Sequence, residues 1–342
     1  MRHARVKVEQ GTGCYHVVSR VVDRAFKMDD GEKEIFRRMM RKAETFSGVR
    51  VLTYAVMSNH FHVLVEVPER GEVGEEELLR RMTALYGAAY VAGRVSQWAD
   101  WRKSGAAYLA DAERDRLLAR MGDVSAFVKT LKQRYSMSYN ARHKRTGTLW
   151  EERFKSVLVE NGESAKAAVA AYIDLNPVRA KLVADPKDYR WSGYGEACGG
   201  GTQARAGLVA VHNTCPLEQD GAWRHVRARY RVLLYAEGEE RRAACDGGRV
   251  VRKGFAPAEV DKVLESGGKL PLPEVLRCRV RYFTDGMAIG GKAFVERLFV
   301  ENRALFGPKR KDGARKMRFG EWGDLRTVRA LRVDAVSVPA VT

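Results

Sequence analysis

The 342-residue chain has five cysteines, Cys14, Cys198, Cys215, Cys245 and Cys278, and no C-x-x-C pair. An odd number of widely spaced cysteines supports neither a zinc ribbon nor a disulfide framework, and fits a reduced compartment. No G-x-x-x-x-G-K-[ST] phosphate loop is present, and "GTGC" at Gly11–Cys14 does not complete G-x-G-x-x-G. Nucleotide-driven chemistry is therefore not expected. No run approaches the roughly 18 uncharged apolar residues of a membrane span. The opening "MRHARVKVEQGTGCYHVVSR" has no apolar signal core. We therefore expect a cytoplasmic protein without membrane contacts. The chain is also short of negative charge: 43 Asp and Glu face 61 Lys and Arg, a formal net charge of +18. A basic globular protein most often meets nucleic acid, with an anionic membrane surface the weaker alternative. At 45% hydrophobic residues, the composition excludes global disorder and allows a sizeable core.

Periodicity gives the order of elements. "CYHVVSRVV" (14–22) is rich in β-branched and aromatic residues and predicts a strand. In the next segment Ile35, Phe36, Met39, Met40, Ala43 and Phe46 recur at helical spacing, and Gly48 closes the pattern. "VRVLTYAVM" (49–57) predicts a second strand, Ser58 and Asn59 a tight turn, and His60 to Val67 a third strand. A helical stretch covers about 74–142, with Asp123 as N-cap of its last part. "TLWEERFKSVLVE" (148–160) predicts a fourth strand, and "SAKAAVAAYIDLNPVRAKLV" (164–183) an alanine-rich helix that meets Pro177. The order β-α-β-β-α-β is that of the ferredoxin-like, split-βαβ α+β fold, an antiparallel sheet with helices on one face. We expect this domain over 1–195, with a helical insertion at about 74–122. The Gly run 199–201 signals a linker (196–217), followed by a mainly helical accessory region (218–330) and a tail (331–342).

Two places carry candidate chemistry. In "MSNHFHVLVEV" (57–67) strand alternation puts His60 and His62 on one face with Leu64 and Glu66, opposite Phe61, Val63, Val65 and Val67. Two imidazoles side by side are either half of a metal site or hydrogen-bonded core histidines. In "AAYIDLNPVRA" (170–180) Tyr172 and Asn176 stand four apart, on one face of a helix. Alone, they read more readily as a packed ring and a helix cap than as a functional pair. Together, two imidazole nitrogens and an amide oxygen can hold Mg²⁺ or Mn²⁺ and leave positions open for phosphate oxygens. A tyrosine hydroxyl, a weak nucleophile at its free pKa near 10, could then attack a polarised phosphate and retain a high-energy bond as phosphotyrosine. Strand joining by that route needs no ATP, in keeping with the missing phosphate loop.

At these residues the sequence resembles the single-tyrosine HUH transposases, in particular the REP-associated tyrosine transposases. The resemblance runs through about residues 10–195, on "YHVVSR", "YAVMSNHFHVLVEVPE", "LKQRYSMSYNARHKRTGTLWEERFKSVLVE" and "YIDLNPVRA", in the family's order. It implies a ferredoxin-like nuclease that cleaves single-stranded DNA near hairpins, leaving a 5′-phosphotyrosine and a free 3′-hydroxyl. By motif match, His60, His62 and Asn176 take the metal-binding roles and Tyr172 that of the nucleophile. The expected cofactor is Mg²⁺ or Mn²⁺, and the expected partner single-stranded or hairpin DNA, bound by a monomer or homodimer. The alternatives are a relaxase or replication-initiator type of HUH nuclease and a domesticated, non-catalytic nucleic-acid-binding protein.

Two other tyrosines compete. Tyr135 and Tyr139 are also four apart, but Tyr135 lies on an apolar stripe and neither has an Asn four residues on. For DNA we expect contacts from Lys132, Arg134, Arg142, His143, Lys144, Arg145, Arg153 and Lys155, which interleave with Tyr139, Trp150 and Phe154. Arg20 and Arg179 are expected close to the site. Trp150 and Phe154 fit a core better than a stacking platform. His16 can share a strand face with Arg20, and no ligand role is assigned to it. The C-terminal region reads either as a helix-turn-helix-like DNA-binding module or as a structural extension.

Overall fold

The computed structural model describes residues 6–8, 10–212, 219–234, 241–242, 250–252, 269–331 and 334–338. Its core is built by β1 (Gly13–Arg20), α1 (Asp30–Ser47), β2 (Arg50–Val56), β3 (His60–Val67), α5 (Val124–Arg142) and β4 (Lys155–Val159). The strands lie in the order β2-β3-β1-β4, every neighbour antiparallel. This is the split-βαβ sheet expected from the order of elements.

Local chemistry sets the boundaries. The Asp29 carboxylate accepts from the Glu32 amide and starts α1, and Gly48, at φ 69°, ends it in the left-handed region. Asp123 caps α5 by accepting from the Ala126 amide at 2.7 Å. The expected helical stretch 74–142 is interrupted. It forms α2 (Glu75–Tyr86), α3 (Ala88–Lys103) and α4 (Ala107–Leu118) before α5. Helices α2 to α4 bury Leu78, Met82, Trp98 and Leu117 against Phe46, in a small cluster of their own.

The alternation in β3 sorts the two faces. Phe61, Val63 and Val65 join Phe36 and Met40 of α1 and Phe127, Leu131 and Tyr135 of α5 in one core. Each such large apolar side chain contributes about 1.5–3 kcal/mol on burial. The other face is covered as well. There Leu64 packs with Val169, Tyr172 and Ile173 of α6 (Glu163–Asp174), and later elements close over them.

Three segments differ from expectation. The fourth strand begins at Lys155 rather than 148: Trp150 makes only a single bridge to Val21 and buries its ring, so the residues before Lys155 cross the strand end as a loop. The stretch read as a linker contains the helix Thr202–Val211, which packs closely on β2. A Cβ at Gly207 would sit 2.5 Å from the Val51 carbonyl oxygen, so only glycine allows that approach. The C-terminal region is not purely helical. Helices Gln219–Leu234, Leu272–Arg277, Tyr282–Asp285 and Lys292–Glu301 are accompanied by short strands. One of them, Ala288–Gly290, pairs parallel with β4, and Arg326–Thr327 and Arg315–Lys316 follow it in the same sheet. Strands of two or three residues carry no readable alternation. The helical pattern of "APAEVDKVLESGG" (256–268) lies outside the described residues.

Candidate active site

β3 brings His60 and His62 to the face under α6. Antiparallel pairing sets Arg20 opposite His60 and Val18 opposite His62, so Arg20 and His16 share that face. Helix α6 ends at Asp174, and Pro177 starts the short helix Asn176–Arg179, which places Asn176 and Arg179 one and two turns beyond Tyr172. The His60 and His62 rings lie 5.1 Å apart, and Tyr172 stands 6.2 Å from His62, edge to face. All four predicted residues line one open cleft of about 480 Å³.

The hydrogen bonds show which donor atoms are left over. Asn59 gives its Nδ2–H to the Arg24 carbonyl at 2.9 Å, so its Oδ1 faces His60 Nδ1 at 2.6 Å. His60 Nδ1 therefore carries the proton and Nε2 keeps a lone pair. The Asn176 Nδ2 lies 3.3 Å from the Tyr172 carbonyl and 3.1 Å from that of Ile173. Carbonyls only accept, so the amide nitrogen faces them and Oδ1 is free of that pairing. His62 Nδ1 is engaged with His16 at 2.9 Å. Burial, then Arg20, Arg179 and Arg279, push His60 down to about 3. Burial, then the His16 and His60 rings, drive His62 well below the ordinary histidine range. Both are neutral imidazoles at neutral pH, the form that ligates metals. No cluster of three or more His, Cys, Asp or Glu suited to a metal occurs among the described residues. The two imidazole nitrogens together with the amide oxygen of Asn176 could hold a divalent cation with open positions.

Arg179 is built into the site rather than exposed on it. Its guanidinium donates to the carbonyls of Leu276 at 2.7 Å and Tyr172 at 2.6 Å, and covers the Tyr172 ring at 4.0 Å. The cleft walls carry seven basic side chains against three acidic ones, a field that favours a polyanion. Arg20, expected close to the site, is among them, together with Arg153 and Lys155. Sequence reasoning missed Arg24, Lys181, Arg279, Thr284 and Asp285. The last three arrive from the C-terminal region, and no local pattern announces them.

The remaining basic residues lie away from the cleft. Arg142 donates to the buried Glu32 at 2.6 and 3.2 Å, and His143 contacts the same carboxylate at 2.8 Å. Lys132 gives its ammonium to the Glu152 carbonyl at 2.9 Å, above the Trp150 ring. Arg134 donates to the Leu85 carbonyl at 3.0 Å. Arg145 turns toward the Thr148 carbonyl at 3.4 Å, and Lys144 is exposed on the loop between. The competing tyrosines are packed away: Tyr135 is fully buried and donates to Glu32 at 2.9 Å, and Tyr139 stacks on His143.

Residues 10–81 match the family described as "Transposase IS200 like". The matched stretch holds β1, α1, β2 and β3, and with them both histidines. The resemblance read from the motifs thus holds over that part of the chain. A solved structure described as a REP-associated tyrosine transposase bound to a REP hairpin is similar at 14% identity, with a TM-score of 0.38. The similarity covers 59% of this chain and 87% of that one. No curated protein matches the chain. No described helix is long and apolar enough to cross a membrane.

Proposed function

We propose that the protein is a metal-dependent single-stranded DNA endonuclease and strand transferase, a transposase that acts near palindromic hairpin elements. One observation carries this reading: His60, His62 and Asn176 line the same cationic cleft as Tyr172. When bound, Mg²⁺ or Mn²⁺ would polarise a phosphate and steady charge on the leaving oxygen. His60, His62 and Asn176 would hold that ion. Arg20, Arg153, Lys155 and Arg179 are proposed to align the DNA strand, and Lys144 to meet it farther along. The Tyr172 hydroxyl attacks phosphorus and gives up its proton to solvent water, which supplies one to the departing 3′-oxygen. The Oη–P bond forms as the P–O3′ bond breaks, and the 3′-oxygen leaves as a hydroxyl. A 3′-hydroxyl can later reverse the step and release Tyr172.

The test is a labelled single-stranded hairpin substrate with Mn²⁺, analysed on a denaturing gel for protein linked to the 5′ phosphate. The wild type is expected to form the adduct, and Tyr172→Phe to bind DNA without forming it. Tyr135→Phe and Tyr139→Phe should retain it. Adduct formation by Tyr172→Phe defeats the assignment. No adduct from the wild type on hairpins flanking its own gene would favour a non-catalytic binding protein.

A further inference from the structure

One buried polar side chain at the site has no part in this chemistry so far. His16 stands on β1 behind His62, fully buried. The two rings lie 5.1 Å apart and within 21° of parallel. His16 Nε2 is 2.9 Å from His62 Nδ1, and His16 Nδ1 is 2.7 Å from the backbone carbonyl oxygen of Phe283.

The proton positions follow from the far end of this chain. A carbonyl oxygen can only accept, so the His16 proton sits on Nδ1. A neutral imidazole has a single N–H, so His16 Nε2 is a bare acceptor. Its contact with His62 is a hydrogen bond only when His62 Nδ1 holds the proton. His62 Nε2 is then left as a lone pair, the form a metal ligand needs. A backbone carbonyl cannot reverse its polarity, so this direction is fixed. The carbonyl comes from 267 residues later in the sequence than His16. The Phe283 ring also packs against Tyr172 at 4.8 Å.

We propose that His16 is a positioning residue: held by the Phe283 carbonyl, it locks His62 in the Nδ1–H tautomer and so presents Nε2 to the divalent cation. The proposal rests on the metal-dependent reading of the site. It also gives the C-terminal region a part in the active centre, because Phe283 orients a ligand through His16 and supports the nucleophile through its ring. A histidine that only filled space could be replaced by leucine without altering the proton on its neighbour.

Two measurements on the full chain decide it. The first is the long-range ¹H–¹⁵N imidazole spectrum of the metal-free protein, which reports the tautomer of each histidine. The wild type is expected to show His16 and His62 both protonated at Nδ1. His16→Gln keeps a side-chain acceptor for His62 and should preserve its tautomer, whereas His16→Leu should release it to a mixture. The second is Mn²⁺ affinity from the electron paramagnetic resonance of the free ion. Orienting partners of ligating histidines are worth about 10–100-fold in metal affinity, and that loss is expected in His16→Leu, with most of it restored in His16→Gln. A wild-type His62 protonated at Nε2, or full Mn²⁺ affinity in folded His16→Leu, overturns the proposal. Should His16→Leu fail to fold, the wild-type spectrum and the glutamine variant still decide. Absence of Mn²⁺ binding by the wild type overturns the metal-dependent reading instead, while the metal-free spectrum still judges the hydrogen-bonded chain.

Discussion

Arg179 covers the ring of Tyr172 at 4.0 Å and donates to the backbone carbonyl of the same residue at 2.6 Å. A desolvated cation over an aromatic face is worth about 2 kcal/mol. The two contacts fix the height and tilt of the proposed nucleophile, and the guanidinium's other arm ties it to Leu276. Arg179→Ala is therefore expected to slow single-turnover adduct formation by about 100-fold, the scale on which small misplacements of reacting groups act. Arg179→Lys should recover little, because an ammonium lacks the planar fork that stacks and bonds two carbonyls at once. Mn²⁺ affinity should hold in both variants. Wild-type rates in Arg179→Ala would reduce this contact to packing.

Metal binding has a readout that needs no DNA. A ligand at about 100 times its Kd stabilises the state that binds it by about 2.7 kcal/mol. In calorimetry, saturating Mn²⁺ should raise the Tm of the wild type by several degrees, and chelator should reverse the rise. His60→Ala combined with His62→Ala should show no shift, with DNA binding largely kept because the proposed phosphate contacts are made by the arginines and lysines of the cleft rather than by the histidines. An equal shift in the double variant would move the ion to another place on the protein.

DNA affinity should follow the cleft rather than the end of α5. Arg153 and Arg279 both line the cleft, and reversing them to Glu should weaken single-stranded DNA binding across sequences. Each lost phosphate contact should lower the log–log salt slope by about 0.7. Titrations between low and moderate salt would check it. Unchanged affinity and slope would remove the cleft wall from the DNA path.

The sequence foretold much of this arrangement because its signals are local. Period-two alternation in β3 put His60 and His62 on one face, and the i, i+4 spacing joined Tyr172 to Asn176. The β-α-β-β-α-β order gave the sheet, and the apolar stripe on α5 foretold the burial of Tyr135. Side chains whose placement depends on distant segments were not legible. Arg279, Thr284 and Asp285 reach the cleft, and Phe283 reaches His16 behind it, because a three-residue strand joins the sheet beside β4, and no pattern in that strand predicts it. Arg142 looked like a phosphate contact because charge alone does not reveal a buried partner. Its partner, Glu32, lies 110 positions away.

That pair gives a prediction with a defined pH window. Burial raises the Glu32 carboxyl, but hydrogen bonds from Arg142, His143 and Tyr135 outweigh it and hold the group below the ordinary glutamate value of 4.5. A carboxylate whose folded pKa is depressed stabilises the fold above the unfolded value, and that contribution is lost as pH falls through the folded one. Arg142→Ala removes the strongest of the three partners. Breaking a fully buried pair costs about 3–5 kcal/mol, and because Arg142 is about a third exposed we expect about 2 kcal/mol at pH 7. Once Glu32 is protonated the guanidinium has no charge to meet, so the difference between wild type and variant should shrink toward zero as pH falls from 4.5 through the depressed folded value. Urea unfolding at pH 7, 5, 4 and 3 would measure it. A difference that stays constant across that range would mean that Arg142 acts through packing of its stem rather than through Glu32. A stable Arg142→Ala protein with weakened DNA binding would return Arg142 to the nucleic-acid track.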